Sequence, residues 1–175
     1  MVLTIELLKK GRTAGLLKFF LEHPTQKFHA QQLVKSVNIY RNGILGGLHE
    51  LTEANVLRSE EIGRVIRYSL IRENPMVKQL KILFALDKIM PLLEKLHGSG
   101  VEAYLYGSCA RGEDTEESDI DLLLIGNLGR PEVLGKLSRI EKLKPIYLTF
   151  LEYSSLARKD KAFYERVEKD RIRLM

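Results

Sequence analysis

The chain has 175 residues, 28 Lys and Arg against 23 Asp and Glu, a net charge of +5, one cysteine and no tryptophan. A single cysteine excludes an internal disulfide, and the N-terminal run Met1 to Lys10 puts its lysines after its apolar residues, the reverse of a secretory signal, so a reducing, cytoplasmic setting is expected. The length admits one domain or two small ones, and the most apolar stretch, Leu80 to Leu93, is broken by Lys81, Asp87, Lys88 and Pro91, too soon for a membrane span.

From Gly11 to Glu22, the residues Leu16, Leu17, Phe19, Phe20 and Leu21 predict a short buried helix stopped by His23-Pro24. Phe28 to Val37 predicts a second helix with Leu33, Val34 and Val37 inward, followed by a turn at Ser36-Val37-Asn38-Ile39. A third runs from Tyr40 to Ala54, with Ile44, Leu48 and Leu51 on one stripe. The period then changes: Val56 to Glu60 and Val65 to Ile71 read as strands joined by Glu61-Ile62-Gly63-Arg64. Three helices and a hairpin in this order resemble the winged helix-turn-helix module of bacterial and archaeal regulators. The resemblance implies that Tyr40, Arg41 and Asn42 at the start of the third helix read base edges, while Arg58, Arg64 and Arg67 on or beside the wing meet phosphates. A protein–protein or dimerisation role for the same module stays open, because Gly43, Gly46 and Gly47 weaken the third helix or permit a close backbone approach.

Asn74-Pro75 and His97-Gly98-Ser99-Gly100 mark two boundaries, giving a first domain at 1–74, a connector at 75–98 and a second domain at 99–175. The connector is apolar at helical spacing through Met76, Leu80, Leu83, Met90 and Leu93, read as core with a homodimer contact as the alternative, and Pro91 predicts a kink or a meeting of two helices. The basic excess is N-terminal: residues 1–74 carry 11 basic and 7 acidic groups, whereas residues 99–175 carry 13 and 14.

Val101 to Tyr106 reads as a strand ending in Gly107-Ser108, and ten residues later Asp119-Ile120-Asp121 leads the apolar run Leu122 to Ile125. Alternation on a strand sends Asp119 and Asp121 to one face, where two carboxylates suit a hard divalent cation that keeps waters and shares phosphate oxygens. Gly107 allows close approach of a phosphate to the backbone, and Ser108 offers a hydroxyl and an N–H at the start of a short helix. Arg111 is either a phosphate clamp or a partner for the acidic run Glu113 to Asp121, and Cys109 is a packing residue rather than a nucleophile.

The run Tyr106-Gly107-Ser108-Cys109-Ala110-Arg111-Gly112, then Ser118-Asp119-Ile120-Asp121-Leu122, is similar to the signature of the polymerase-beta-like nucleotidyltransferases, most closely their minimal prokaryotic members. That resemblance implies transfer of a nucleoside monophosphate from an NTP, ATP first, to a protein or small-molecule acceptor, with Mg²⁺ or Mn²⁺ held by Asp119 and Asp121. Minimal members often act as antitoxins on a partner toxin, hence the expectation of a protein acceptor. The alternative is a DNA-binding regulator whose second domain only binds nucleotide. Active members carry a third carboxylate on a later strand; here Pro145 to Leu151 holds no acid, and Tyr147 and Thr149 are expected at its place, with Ile146, Leu148 and Phe150 in the core. Glu152 could serve only if the strand ended or bulged first. Pro131 to Leu143 and Ser154 to Arg173 read as two amphipathic helices, the second made basic by Lys159, Lys161, Arg166, Lys169, Arg171 and Arg173 and read as a solvated face interleaved with acids, with a nucleic-acid patch as the alternative. The expected architecture is α+β: a winged helix-turn-helix, a connecting helix, and a small mixed sheet flanked by helices.

Overall fold

The computed structural model describes residues 11–37, 40–137 and 142–175. These form a mixed α+β chain of two compact units that divide between Leu80 and Lys81. Met1 to Lys10, the Asn38-Ile39 half of the expected turn and residues 138–141 of the expected helix lie outside the described residues. Among the described residues no helix is long and apolar enough to cross a membrane.

The first unit contains α1 (Gly11–Glu22), β1 (Lys27–His29), α2 (Ala30–Ser36), α3 (Arg41–Glu53), β2 (Leu57–Ile62) and β3 (Val65–Leu70). Leu16, Leu17 and Phe20 of α1 and Ile44, Leu48 and Leu51 of α3 are at most 1% exposed and fill one core, each buried side chain contributing roughly 1.5–3 kcal/mol. A Cβ on Gly47 would stand 2.6 Å from Leu16 Cδ1, so this glycine lets α1 and α3 approach closely. The expected second helix loses its first residues: Lys27 to His29 pair instead with β3, in a sheet of order β1-β3-β2. His29 then caps α2, its Nδ1 accepting the Gln32 N–H while Gln32 Oε1 accepts the His29 N–H. Only Leu33 of that helix is buried, and Val34 is exposed rather than inward. The hairpin is tighter than expected, because Glu61 and Ile62 stay in the strand and Ile62 pairs with Val65. Gly63, with φ +63°, supplies the positive angle that a two-residue loop needs at its first position.

Helix α4 (Pro75–Leu93) starts where Pro75 provides a fixed φ and Asn74 Oδ1 accepts the Met76 N–H at 2.8 Å. It runs through Pro91 in its last turn and passes into a single 3₁₀ turn at Glu94–Leu96, so no second helix starts at the proline. The apolar stripe is also displaced: Val77, Ala85, Ile89, Leu92 and Leu93 are buried, while Met76, Leu83 and Met90 are exposed.

The second unit is built on β4 (Glu102–Tyr106), β5 (Ile120–Ile125), β6 (Leu143–Leu148) and β7 (Ile172–Arg173), in the order β6-β5-β4-β7. β5 and β6 are parallel and the other pairs antiparallel. Helices cover both faces, which explains why Leu122 to Ile125 is apolar without alternation. Ala103, Leu105, Leu122, Leu124 and Tyr147 pack with Ile89, Leu93 and Val133, the last from α6 (Arg130–Lys136). Tyr104, Tyr106, Leu123 and Ile125 pack on the other side with Tyr153 of α7 (Phe150–Lys159) and with Phe163 and Val167 of α8 (Lys161–Asp170). Three expectations change here. Leu143 belongs to β6 rather than to the preceding helix, and β6 ends at Leu148, so Phe150 and Leu151 are helical. The single helix expected from Ser154 to Arg173 breaks at Asp160, whose Oδ1 accepts the Phe163 N–H at 3.0 Å, and its tail becomes strand β7 against β4.

Candidate active site

Strand β4 ends at Tyr106 and turns directly into α5 (Gly107–Arg111). Gly107 adopts φ +74°, and a Cβ there would collide with Asp121 Oδ2. Its role is therefore to seat the Asp121 carboxylate, an addition to the phosphate approach inferred from sequence. Tyr106 and Asp121 are cross-strand partners, so the carboxylate stands on the face covered by α7 and α8. Asp121 is half-buried and Asp119, just before β5, is exposed. Burial pushes the Asp121 carboxyl above its ordinary value; the Arg166 and Arg111 guanidiniums oppose the rise and the Asp119 charge adds to it. Gly107, Asp119 and Asp121 are thus close neighbours, with Ser108 half-exposed in the first turn of α5.

The loop between α5 and β5 is held at several points rather than freely solvated. Lys81, its side chain 2% exposed, donates to Asp114 Oδ2 at 2.9 Å. Arg111 donates from Nε to Glu113 Oε2 at 2.9 Å and from Nη1 to Asp170 Oδ2 at 3.0 Å, so of its two readings the structure favours the acidic-loop partner. Lys142 Nζ reaches the Glu116 carbonyl, and Thr115 and Ser118 close a small turn, the Thr115 N–H donating to Ser118 Oγ at 2.9 Å. Cys109 packs under this loop with Sγ 3.5 Å from the Asp119 carbonyl, and burial pushes its thiol up to about 12, which keeps it protonated and inert as a nucleophile.

The place of the missing third carboxylate needs correction. Tyr147 faces the opposite side of the sheet from Asp121, 4% exposed, with its hydroxyl donating to the Leu128 carbonyl at 2.9 Å. Thr149 lies beyond the strand and caps α7. Ile146 and Leu148 share the Asp121 face, and the β6 residue directly beside Asp121 is Lys144. Glu152 is engaged at the α7 cap, accepting the Thr149 N–H at 2.7 Å, and the N–H and hydroxyl of Thr149 hold its carboxyl below the ordinary value. Among the described residues no group of three or more His, Cys, Asp or Glu is spaced to hold an ion. Asp119 and Asp121 fit a cation that takes only two protein carboxylates and completes its shell with water and phosphate oxygens. Two cations stand near Asp121 that the sequence did not tie to it: Lys144, set by strand register, and exposed Arg166, expected on a solvated helix face, whose charge acts on the Asp121 carboxyl and whose guanidinium lies 5.1 Å over the Phe163 ring.

In the first unit, Tyr40, 93% exposed, precedes α3, and Arg41 and Asn42 open that helix. Arg41 also lines a cavity of about 400 Å³ with His29, Gln31, Gln32, Val34 and Lys35. Arg58 and Arg67 are exposed on β2 and β3, and Arg64 is exposed in the turn between them. Arg67 is paired in register with Glu60, whose carboxylate meets Lys27 Nζ at 2.5 Å.

Residues 86–173, the span holding β4 through β7, match the family described as nucleotidyltransferase domain. The chain belongs to this family. A solved structure from Sulfolobus solfataricus, described as a "putative nucleotidyltransferase", is similar at 22% identity over 58% of this chain and 88% of that one, with a TM-score of 0.39. No curated protein matches the chain. Within the matched span of this nucleotidyltransferase-family chain, the Gly107-Ser108 turn and Asp121 meet where β4 passes into α5, with Asp119 just before β5.

Proposed function

We propose that the second unit transfers a nucleoside monophosphate from an NTP, ATP first, to a protein or small-molecule acceptor. The observation that carries this reading is the seating of Asp121 against Gly107 on the strand that follows Asp119, inside the family-matched span. Asp119 and Asp121 would hold Mg²⁺ or Mn²⁺. When bound, that ion supplies positive charge to the phosphate oxygens and orients the triphosphate. Ser108 offers its hydroxyl and backbone N–H to the same phosphates, and Gly107 keeps the carboxylate in register with them. Arg111 holds the loop rather than the substrate. Incubation with α-labelled ATP, Mg²⁺ and cell lysate should yield a labelled acceptor, and Asp119→Asn/Asp121→Asn should lower that labelling by about 10²-fold or more. An unlabelled lysate with every NTP and both metals overturns the reading.

The first unit is read as a winged helix-turn-helix that docks on DNA, with Tyr40, Arg41 and Asn42 toward base edges and Arg58, Arg64 and Arg67 toward phosphates. The support is the order of α1 to β3 and the exposure of these side chains at the start of α3 and along the hairpin. Binding of the full chain to its own upstream DNA should fall steeply with salt and weaken in Arg64→Ala and Arg67→Ala. Equal affinity for random DNA removes the sequence-reading part of this proposal.

A second reading is favoured by Lys144. With a cation rather than an acid beside Asp121, the unit binds nucleotide without turnover and reports it to the DNA-binding module. ATP binding with no labelled acceptor and no pyrophosphate release separates this reading from the first.

A further inference from the structure

We propose that Arg166 grips the phosphate chain of the nucleotide, so that the site selects nucleoside triphosphates over monophosphates; this rests on the nucleotide-site reading above and deepens it. Phe163, Arg166, Val167 and Asp170 form one i, i+3, i+4, i+7 stripe of α8. Three of the four have fixed partners around the site. The Phe163 ring meets the Tyr106 ring edge-on at 6.0 Å, Val167 is buried in the cluster with Tyr106 and Leu123, and Asp170 holds Arg111 of α5. Tyr106 is the cross-strand partner of Asp121, and of the charges that act on the Asp121 carboxyl that of Arg166, the fourth member of the stripe, is the strongest, which sets Arg166 near that carboxylate.

The chemistry of the site makes a free cation there useful. Asp119, Asp121 and a triphosphate are all anionic, and Arg111 is committed to Glu113 and Asp170. Arg166 is exposed and forms no ion pair with any described residue. Its guanidinium carbon lies over the Phe163 ring, 5.1 Å from the centroid, a cation–π distance. A guanidinium carries its N–H donors in one plane, a fork suited to bidentate contact with phosphate oxygens. None of this engages the base or the ribose, so the discrimination falls on the length of the phosphate chain.

The test is calorimetric titration of the full chain with ATP and with AMP, each with Mg²⁺, for wild type, Arg166→Ala, Arg166→Lys and Lys161→Ala. Lys161 lies on the same helix, 78% exposed and paired with Glu165, and its removal makes the same change in charge away from the site. Arg166→Ala should weaken ATP about tenfold or more and AMP less than twofold, Arg166→Lys should recover part of the loss, and Lys161→Ala should match wild type. An unchanged ATP affinity in Arg166→Ala, while Asp119→Asn/Asp121→Asn loses ATP, overturns the role of Arg166 and leaves the nucleotide site standing. Equal weakening of ATP and AMP, or the same loss in Lys161→Ala, also overturns it. A wild-type chain that binds neither nucleotide overturns both readings.

Discussion

Strands β5 and β6 lie side by side and run parallel, yet they bring opposite charges to one face of the sheet. β5 is preceded by Asp119 and carries Asp121 in its first turn of alternation; β6 sets Lys144 directly beside Asp121. Both strands then bury matched apolar pairs, Leu123 with Ile146 and Ile125 with Leu148, so the difference is confined to the mouth of the site. Packing can therefore be shared by two strands while their chemistry diverges at a single register position. In the proposed function Asp119 and Asp121 would hold a metal-bound phosphate chain, and Lys144 leaves no carboxylate at the neighbouring register position.

The largest effect should come from disturbing the seat of the β5 carboxylate. Gly107→Ala places a Cβ against Asp121 Oδ2 at a backbone φ of +74°, which side chains adopt at a cost of about 1–3 kcal/mol. The variant should lose ATP binding and melt at lower temperature than wild type; calorimetry and thermal denaturation check both. Wild-type binding by Gly107→Ala would show that Asp121 does not depend on the glycine.

A second change reverses the charge contrast itself. Lys144→Asp puts a carboxylate beside Asp121 and should tighten Mn²⁺ binding several-fold, while Lys144→Ala should tighten it less. If neither changes Mn²⁺ affinity, the side chain of residue 144 does not share the site with Asp121. The N-terminal half of this contrast was legible in the sequence, and the other half was not. Gly107-Ser108 and Asp119-x-Asp121 are local: a strand end, a turn and a two-residue alternation suffice to place them. Which residue of β6 stands beside Asp121 depends on the register between two strands that are not adjacent in sequence, and one residue of slippage exchanges the faces that Tyr147 and Lys144 occupy.

The same distinction holds elsewhere. The stripes of α1 and α3 were readable because their apolar residues recur at helical spacing, whereas β1 and β7, with three and two residues, have no period to read and exist through their pairing with β3 and β4. Arg166 belonged to a helix of mixed charge and is distinguished only by the contacts of Phe163 and Asp170 on its stripe.

The smallest effect concerns pH. The Asp121 carboxyl is raised, chiefly by burial, so the folded chain holds its proton more tightly than the unfolded chain. The resulting cost is absent below the unfolded value and grows as pH rises through the window between the ordinary carboxylate value and the raised one. At neutral pH the metal-free chain should therefore be slightly stabilised by Asp121→Asn, and added Mg²⁺ should stabilise wild type but not the variant. Thermal melts with and without metal at two pH values check the sign; a lower melting temperature for metal-free Asp121→Asn contradicts it.

The most direct test of the metal–nucleotide site is a titration of Mn²⁺ followed by electron paramagnetic resonance, where the free ion gives a signal that is lost on binding. With saturating ATP, the wild-type chain should remove Mn²⁺ signal beyond that taken by ATP alone, saturating at a fixed ratio to protein, and Asp119→Asn/Asp121→Asn should remove none beyond ATP. An equal loss of signal in wild type and the double variant would contradict the assignment of Asp119 and Asp121 as the residues that hold the metal and its nucleotide.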